Sequence, residues 1–288
     1  MKIAALILSH KNPKQINILL DRLNCKDIDC YLHIDKSADF AGEIIKRDNV
    51  FVLPDSKRVK CEWAQISLVD ATLNMLDYAK SNGGYDYYRL MSGQDWPIKS
   101  TEQIVDFLSN SENKNYIYYL TSKNHGNDGP NNLDKRNHIF YPLWIIGRKP
   151  WQRVMKRTWV EISGGYNRTW ALFRRKENYE FYFGSQWWCL NRKTIEWMMK
   201  YLSNHPEYHK FFKNCSTPDE SFFHTLVMMS PYAAEGTDVL TYLHYHNGPA
   251  NSPDVITKDV LDEAKASKYL LMRKVDMDVD DSFVSYKF

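Results

Sequence analysis

The chain predicts an α/β protein, a mainly parallel sheet flanked by helices on both faces. Three observations carry that expectation. Apolar runs without polar interruption, such as IAALILS at 3–9, mark strands buried on both faces. Between them lie segments whose apolar residues recur at helical spacing. The two kinds alternate as β-α-β-β-α-β over roughly the first hundred residues, the order of parallel strands joined by crossover helices.

Each element has its own signal. After the first run, a helix starts near Pro13, where proline's missing donor costs nothing, with Ile16, Leu19, Leu20 and Leu23 on one face. CYLHID (30–35) and NVFVL (49–53) read as the second and third strands. Ile66, Val69, Leu73 and Leu76 define a helix from about Ala64 to Ala79, which SNGG ends before a fourth strand, YDYYRLMSG (85–93). Residues 121 to 185 break the pattern, beginning with the polar loop SKNHGNDGPNNLDKRNH and continuing as an aperiodic mixture of Trp, Arg and Lys. Long irregular segments inside a compact protein are usually functional or mobile. FYFGSQWWCLNR (181–192) then reads as a strand, Lys193 to Leu202 as a helix, and KYLLMRKVDMDVDD (268–281) as a final strand or turn ending in acids.

Composition narrows the function. With 288 residues, 43% hydrophobic and 25% charged, the chain has ample core and is not disordered. Net charge is only +3 and no long Lys/Arg run occurs, so no nucleic-acid partner is expected, while a weak peripheral contact with an anionic membrane surface is compatible. IAALIL is too short for a signal-peptide core or a membrane span. Five scattered cysteines without a CxxC pair suggest neither zinc nor a disulfide framework, which favours a cytoplasmic location. Aromatic residues are in surplus at 14%, a supply that either fills the core or stacks on sugar rings.

Ligands of parallel sheets bind at the carboxyl ends of the strands. Here those ends carry Ser9-His10, His33-Ile34-Asp35-Lys36 and Ser92-Gly93-Gln94-Asp95, polar clusters able to hold a phosphate, ribose or base. Neither GxGxxG nor GxxxxGK[ST] is present, which argues against a dinucleotide enzyme and a P-loop NTPase. TPDESFFHT (217–225) offers two readings. Thr217-x-x-Glu220 with Pro218 is a capping box opening a helix, and the adjacent Asp219 and Glu220 are also candidates for acid-base chemistry.

Five stretches stand in fixed order: HIDKS (33–37), Trp63-Ala64-x-x-Ser67, LMSGQDWPIKS (90–100), FGSQWWCLNR (183–192) and TPDESFFHT. Together they resemble the Branch family of glycosyltransferases, which holds the core 2 and I-branching β-1,6-N-acetylglucosaminyltransferases, the protein O-xylosyltransferases and bacterial relatives. The likeness runs from Ile3 to about Asp278 and weakens at 121 to 180. It implies a GT-A-like Rossmann-type fold in one domain over 1–288, with 1–120 as nucleotide-binding half and 121–288 as acceptor-binding and catalytic half. It also implies inverting transfer of a sugar, N-acetylglucosamine or xylose, from a UDP-sugar to a hydroxyl of a glycan or glycolipid acceptor in surface polysaccharide or glycoconjugate synthesis.

The family's general base matches Glu220, with Asp219 as the neighbour that caps or orients. For the nucleotide, the resemblance implies Asp35, Ser37, Ser92, Gly93 and Asp95, and for the departing diphosphate the basic pair Arg273 and Lys274. Ser185, Gln186 and one of Trp187 and Trp188 would hold sugar or acceptor, alternation sending the other tryptophan into the core. Lys135 and Arg136 are further acceptor candidates, and His224 reads as structural.

Branch enzymes are understood to work without metal, so no metal or cofactor is expected beyond the donor. One departure stands out. A second basic residue of the core 2 enzymes falls near Thr241, in TYLHYHNG. Either Arg273, His244 or His246 replaces it, or a metal is recruited at DMDVDD (276–281), a DxD-like run. The alternatives to the metal-independent transferase are a metal-dependent transferase and a silent carbohydrate-binding protein on the same fold. The expected location is the cytoplasm, with peripheral attachment to the inner membrane of a bacterium.

Overall fold

The structure, a computed structural model, describes residues 1–121, 137, 139–162, 179–233, 238–246 and 252–282. Its central sheet has the order β3-β2-β1-β4-β8. Strands β1 (Ile3–Ser9), β2 (Ile28–Ile34), β3 (Val50–Val52) and β4 (Tyr87–Ser92) are parallel, and β8 (Cys189–Asn191) joins antiparallel to β4. The expected α/β architecture is therefore present. Chain order runs outward from β1 to β3 and then returns to β4 on the other side, so the crevice above β1 and β4 is the topological switch point.

Strand periodicity separates two cores. Ile3, Ala5 and Ile7 of β1 face a cluster containing Leu19 and Leu20 of α1 (Pro13–Arg22), Ile104 of α3 (Thr101–Ser109) and Leu261 of α8 (Lys258–Ala266). Ala4, Leu6 and Leu8 face the other way, toward Val69 and Leu76 of α2 (Ser67–Asn82), Ile195 of α5 (Arg192–Asn204), Phe212 of α6 (Pro206–Phe212) and Phe222 of α7 (Phe222–Met229). Much of the aromatic surplus lies in this second layer. Tyr208, Phe211, Phe212, Phe222 and Phe223 pack ring against ring, mostly edge to face, and the Tyr208 hydroxyl donates to the Phe222 carbonyl at 2.8 Å.

A smaller sheet, β5-β10-β9, sits against the switch point. β10 (Leu271–Arg273) lies between β5 (Asp95–Pro97), antiparallel to it, and β9 (Thr241–Leu243), parallel to it. β6 (Leu120–Thr121) and β7 (Tyr182–Phe183) form a short ribbon. A third apolar cluster joins Ala64, Ile139, Tyr141, Ile145, Ile146 and Val160, packing α4 (Pro150–Ile162) beside the start of α2.

Several expectations change in detail. FYFGSQWWCLNR is two short strands in different sheets, β7 and β8, separated by an irregular link from Gly184 to Trp188. Close packing explains the break at Gly184: a Cβ there would stand 1.9 Å from the Tyr118 carbonyl oxygen. Helix α2 begins three residues later than expected, because Ala64 adopts a left-handed turn with φ 62°. Thr217 does not cap a helix either. It is itself left-handed at φ 58°, its side chain makes no cap bond, Pro218–Glu220 is a single 3-10 turn, and α7 starts only at Phe222.

Candidate functional site

The switch-point crevice is built from backbone-locked polar residues. Asp35, just past β2, is buried; its Oδ1 accepts from the Ser37 N–H at 2.8 Å and the Ser37 hydroxyl at 2.5 Å, and its Oδ2 accepts from the Cys61 N–H at 2.8 Å. Burial favours the protonated form, but these hydrogen bonds outweigh it and hold the carboxyl below its ordinary pKa. Arg58 fastens the same loop, donating to the carbonyls of Ile34 at 2.8 Å, Asp35 at 3.1 Å and Ala38 at 2.9 Å. Behind it, His33 accepts the Val59 N–H at 2.9 Å, and burial pushes its pKa down to about 4.

At the end of β4 the chain must pass very close to α1. Gly93 makes room there, since a Cβ would lie 2.3 Å from Ile16 Cδ1 and that side chain would have to shift. Gln15, fully buried, donates to the Gly93 carbonyl at 2.7 Å and accepts the Met277 N–H at 2.9 Å, tying the C-terminal segment to the crevice. Lys11 pairs with Asp276 at 2.6 Å and Asp278 at 3.2 Å. The first two acids of DMDVDD are therefore engaged by a lysine, and no group of three or more His, Cys, Asp and Glu among the described residues is placed to hold a metal ion.

Asp95 and Arg273 are partners across strand register. Asp95 faces Arg273 in the β5-β10 pair, its side chain wholly buried, with Oδ2 accepting the Ser92 N–H at 2.9 Å and Oδ1 accepting from Arg273 Nη1 at 2.8 Å. The other side of the guanidinium lies over the Trp187 ring at 4.4 Å, a cation–π contact. Trp187 is thus the half-buried tryptophan on the cleft side, and Trp188 is fully buried in the core. Lys274 follows Arg273 and, among the described residues, its Nζ meets only the Ser252 hydroxyl, at 3.5 Å.

At the position near Thr241, where the resemblance implies a basic residue, the side chain is enclosed. Thr241 points inward, 5% exposed, and its hydroxyl accepts from the buried Arg89. Arg89 is itself enclosed, close enough to Asp95 and Arg273 to feel both charges. His244, Tyr245 and His246 continue β9 beyond Leu243, which pairs with Arg273. Burial raises the Tyr245 phenol while Arg273 nearby works against that rise.

Glu220 is joined to this assembly through the backbone. Its carbonyl accepts the Gly184 N–H at 2.8 Å, and the Thr217 N–H donates to the Ala64 carbonyl at 3.0 Å. Its turn therefore contacts both the Ser185-Gln186-Trp187 link and the Trp63-Ala64 turn. His224 fixes the link from below: Nε2 donates to the Ser185 carbonyl at 3.0 Å, and burial holds its pKa down near about 4, so the imidazole is neutral. The structural reading of His224 agrees with this. Asp219 is buried behind Glu220.

Sequence reasoning did not find Arg58, Arg89, or the pair formed by Trp63 and Arg148, whose guanidinium lies 4.8 Å from the ring centre. The Trp63 and Arg-rich stretches were visible, but their meeting depends on how α4 folds back. Lys135 and Arg136 lie outside the described residues.

A parallel sheet with a polar switch point and a clamped arginine makes this an α/β protein whose candidate ligand site lies at the carboxyl ends of its strands. The chain belongs to the Core-2/I-Branching enzyme family, whose profile matches residues 29–257. Among its relatives, xylosyltransferase 1 of Rattus norvegicus is 26% identical over 243 residues, covering 81% of this chain and 26% of that protein. Xylosyltransferase oxt of Drosophila melanogaster is 24% identical over 247 residues, covering 81% and 25%. The chain thus spans about a quarter of the length of these relatives. A solved 4-diphosphocytidyl-2C-methyl-D-erythritol synthase from Anaerococcus prevotii aligns with TM-score 0.33 at 14% identity, covering 70% of this chain and 75% of that one.

Proposed function

We propose that the protein is an inverting glycosyltransferase that moves a sugar from a UDP-sugar to an acceptor hydroxyl, with Glu220 as general base and no metal. One observation carries the reading most strongly. The short link 184–187 bonds to the Glu220 backbone at one end and meets the Arg273 guanidinium at the other, so the residue expected to act as base and a clamped cation are tied to the two ends of one segment. Direct displacement needs that pairing: a base for the acceptor proton on one side of the sugar and positive charge for the leaving group on the other.

In this mechanism Glu220 takes the acceptor proton as the acceptor oxygen bonds to the anomeric carbon. The bond from that carbon to UDP breaks on the opposite face, and the electron pair leaves on the β-phosphate, beside Arg273 and Lys274. The single displacement inverts the anomeric centre. Asp35, Ser37, Ser92 and Gly93 line the nucleotide end, in residues 1–120, while Ser185, Gln186 and Trp187 serve the sugar and acceptor. Asp95 acts through Arg273, which it holds in place. The xylosyltransferase relatives support xylose as the transferred sugar, with N-acetylglucosamine as the other candidate that the resemblance implies.

Glu220→Gln tests the base. It keeps size and hydrogen bonding but cannot take the proton, so turnover of UDP-xylose or UDP-N-acetylglucosamine should fall by about 10² to 10⁴ with UDP affinity unchanged. Near wild-type turnover in the variant would remove Glu220 from the chemistry. UDP-sugar binding without transfer in the wild-type chain would instead favour a silent carbohydrate-binding protein.

A further inference from the structure

From Ile139 to Val160 the charged residues are Arg148, Lys149, Arg153, Lys156 and Arg157, with no Asp or Glu among them. This stretch forms α4 and the 3-10 turn before it, joined by Gln152, which donates to the Trp144 carbonyl at 3.1 Å. Met155, Trp159 and Val160 turn inward against the third apolar cluster. The outward arc is not the polar face that a surface helix normally shows. It carries Trp151 at 48% exposed and Val154 at 62%, flanked by exposed Arg153 and Arg157, with Trp144 at 56% on the adjoining turn. Glu161, at the far end of the helix, is the one acid on that arc.

Apolar side chains held in solvent beside exposed arginines match one environment well. A bilayer interface takes Trp and Val into the headgroup boundary while anionic phosphates meet the arginines. Nucleic acid or an acidic glycan would use the cations but would leave Val154 in water. Net charge is only +3 across the whole chain, so the basic character is local to this face rather than spread over the surface.

We infer that α4 and the Trp144 turn form a docking surface for an anionic phospholipid bilayer. The surface adjoins the candidate site. Arg148, at its edge, lies over Trp63 next to the Ala64 turn that the Glu220 segment contacts, and is near enough to His10 to affect its titration. Docking would therefore turn the cleft toward acceptors embedded in the membrane. That orientation rests on the transferase reading, whereas bilayer binding itself does not.

Flotation of the full chain with vesicles tests the inference, using phosphatidylcholine alone and phosphatidylcholine carrying about one-third phosphatidylglycerol. The chain should float with the anionic vesicles, stay down with the neutral ones, and detach as salt is raised. Trp151→Ser with Val154→Ser, and separately Arg153→Glu with Arg157→Glu, should each weaken flotation about tenfold or more while leaving melting temperature and UDP binding unchanged. Failure of the wild-type chain to float, equal flotation with neutral vesicles, or variants that float like wild type would overturn it. Retention on a polyanion resin without vesicle binding would also overturn it. Flotation by a chain that binds no UDP would leave the surface standing and remove the transferase reading.

Discussion

Arg273 is held on two sides, by the buried Asp95 carboxylate at 2.8 Å and by the Trp187 ring at 4.4 Å. Both contacts use the planar fork of a guanidinium, which an ammonium cannot reproduce. Arg273→Lys should therefore weaken UDP binding about tenfold or more while the chain stays folded, as read by calorimetry and thermal unfolding. An equal loss of binding and melting temperature would make Arg273 a structural residue. Asp95→Ala should behave differently. It strands a largely buried cation and should cost about 3 kcal/mol of stability in urea unfolding, with UDP affinity falling because Arg273 loses its anchor.

The link between β7 and β8 sets how the site closes. Gly184 N–H bonds to the Glu220 carbonyl, and its missing Cβ lets the Tyr118 carbonyl approach, so Gly184→Ala cannot be accommodated without moving backbone at Tyr118 or Gly184, next to the β6-β7 ribbon. Thermal unfolding of that variant should show a loss of about 1–3 kcal/mol, and its turnover should fall more than its UDP affinity. Unchanged stability would mean that the link is not tightly packed. Parallel strands and amphipathic helices were legible in the sequence because burial on both faces, or on one face, writes a period into the residues. The link was not, since FYFGSQWWCLNR reads as one strand and the close neighbours of Gly184, Tyr118 and His224, are distant in sequence. Helix α3 was missed although Ser100 and Gln103 form a capping box that the structure contains. At Thr217 the same pattern misled, because Ala64 captures the Thr217 N–H and holds the residue left-handed instead. Motif order made the site's candidates readable, but its arginine clamp depends on strand register, which no local pattern encodes.

At the scale of the whole molecule, two buried histidines link the site to pH. His33 stands behind the Asp35 loop and His224 beneath Ser185, each with its pKa pushed from about 6.5 down to about 4 by burial. The unfolded chain binds protons that the folded one refuses between those values, so stability is complete above about 6.5 and is lost as pH falls toward about 4. Urea unfolding at pH 7 and pH 5 should differ by about 3 kcal/mol, before carboxylate protonation contributes. Equal stability at both would place these histidines in contact with water. Among the described residues, no helix is long and apolar enough to cross a membrane. The most direct test of the proposed site is calorimetry of UDP with the wild-type chain, once in EDTA and once with manganese. Neutralisation of the diphosphate by Arg273 and Lys274 requires binding of the same affinity in both buffers. Binding that appears only with manganese, or in neither buffer, would contradict it.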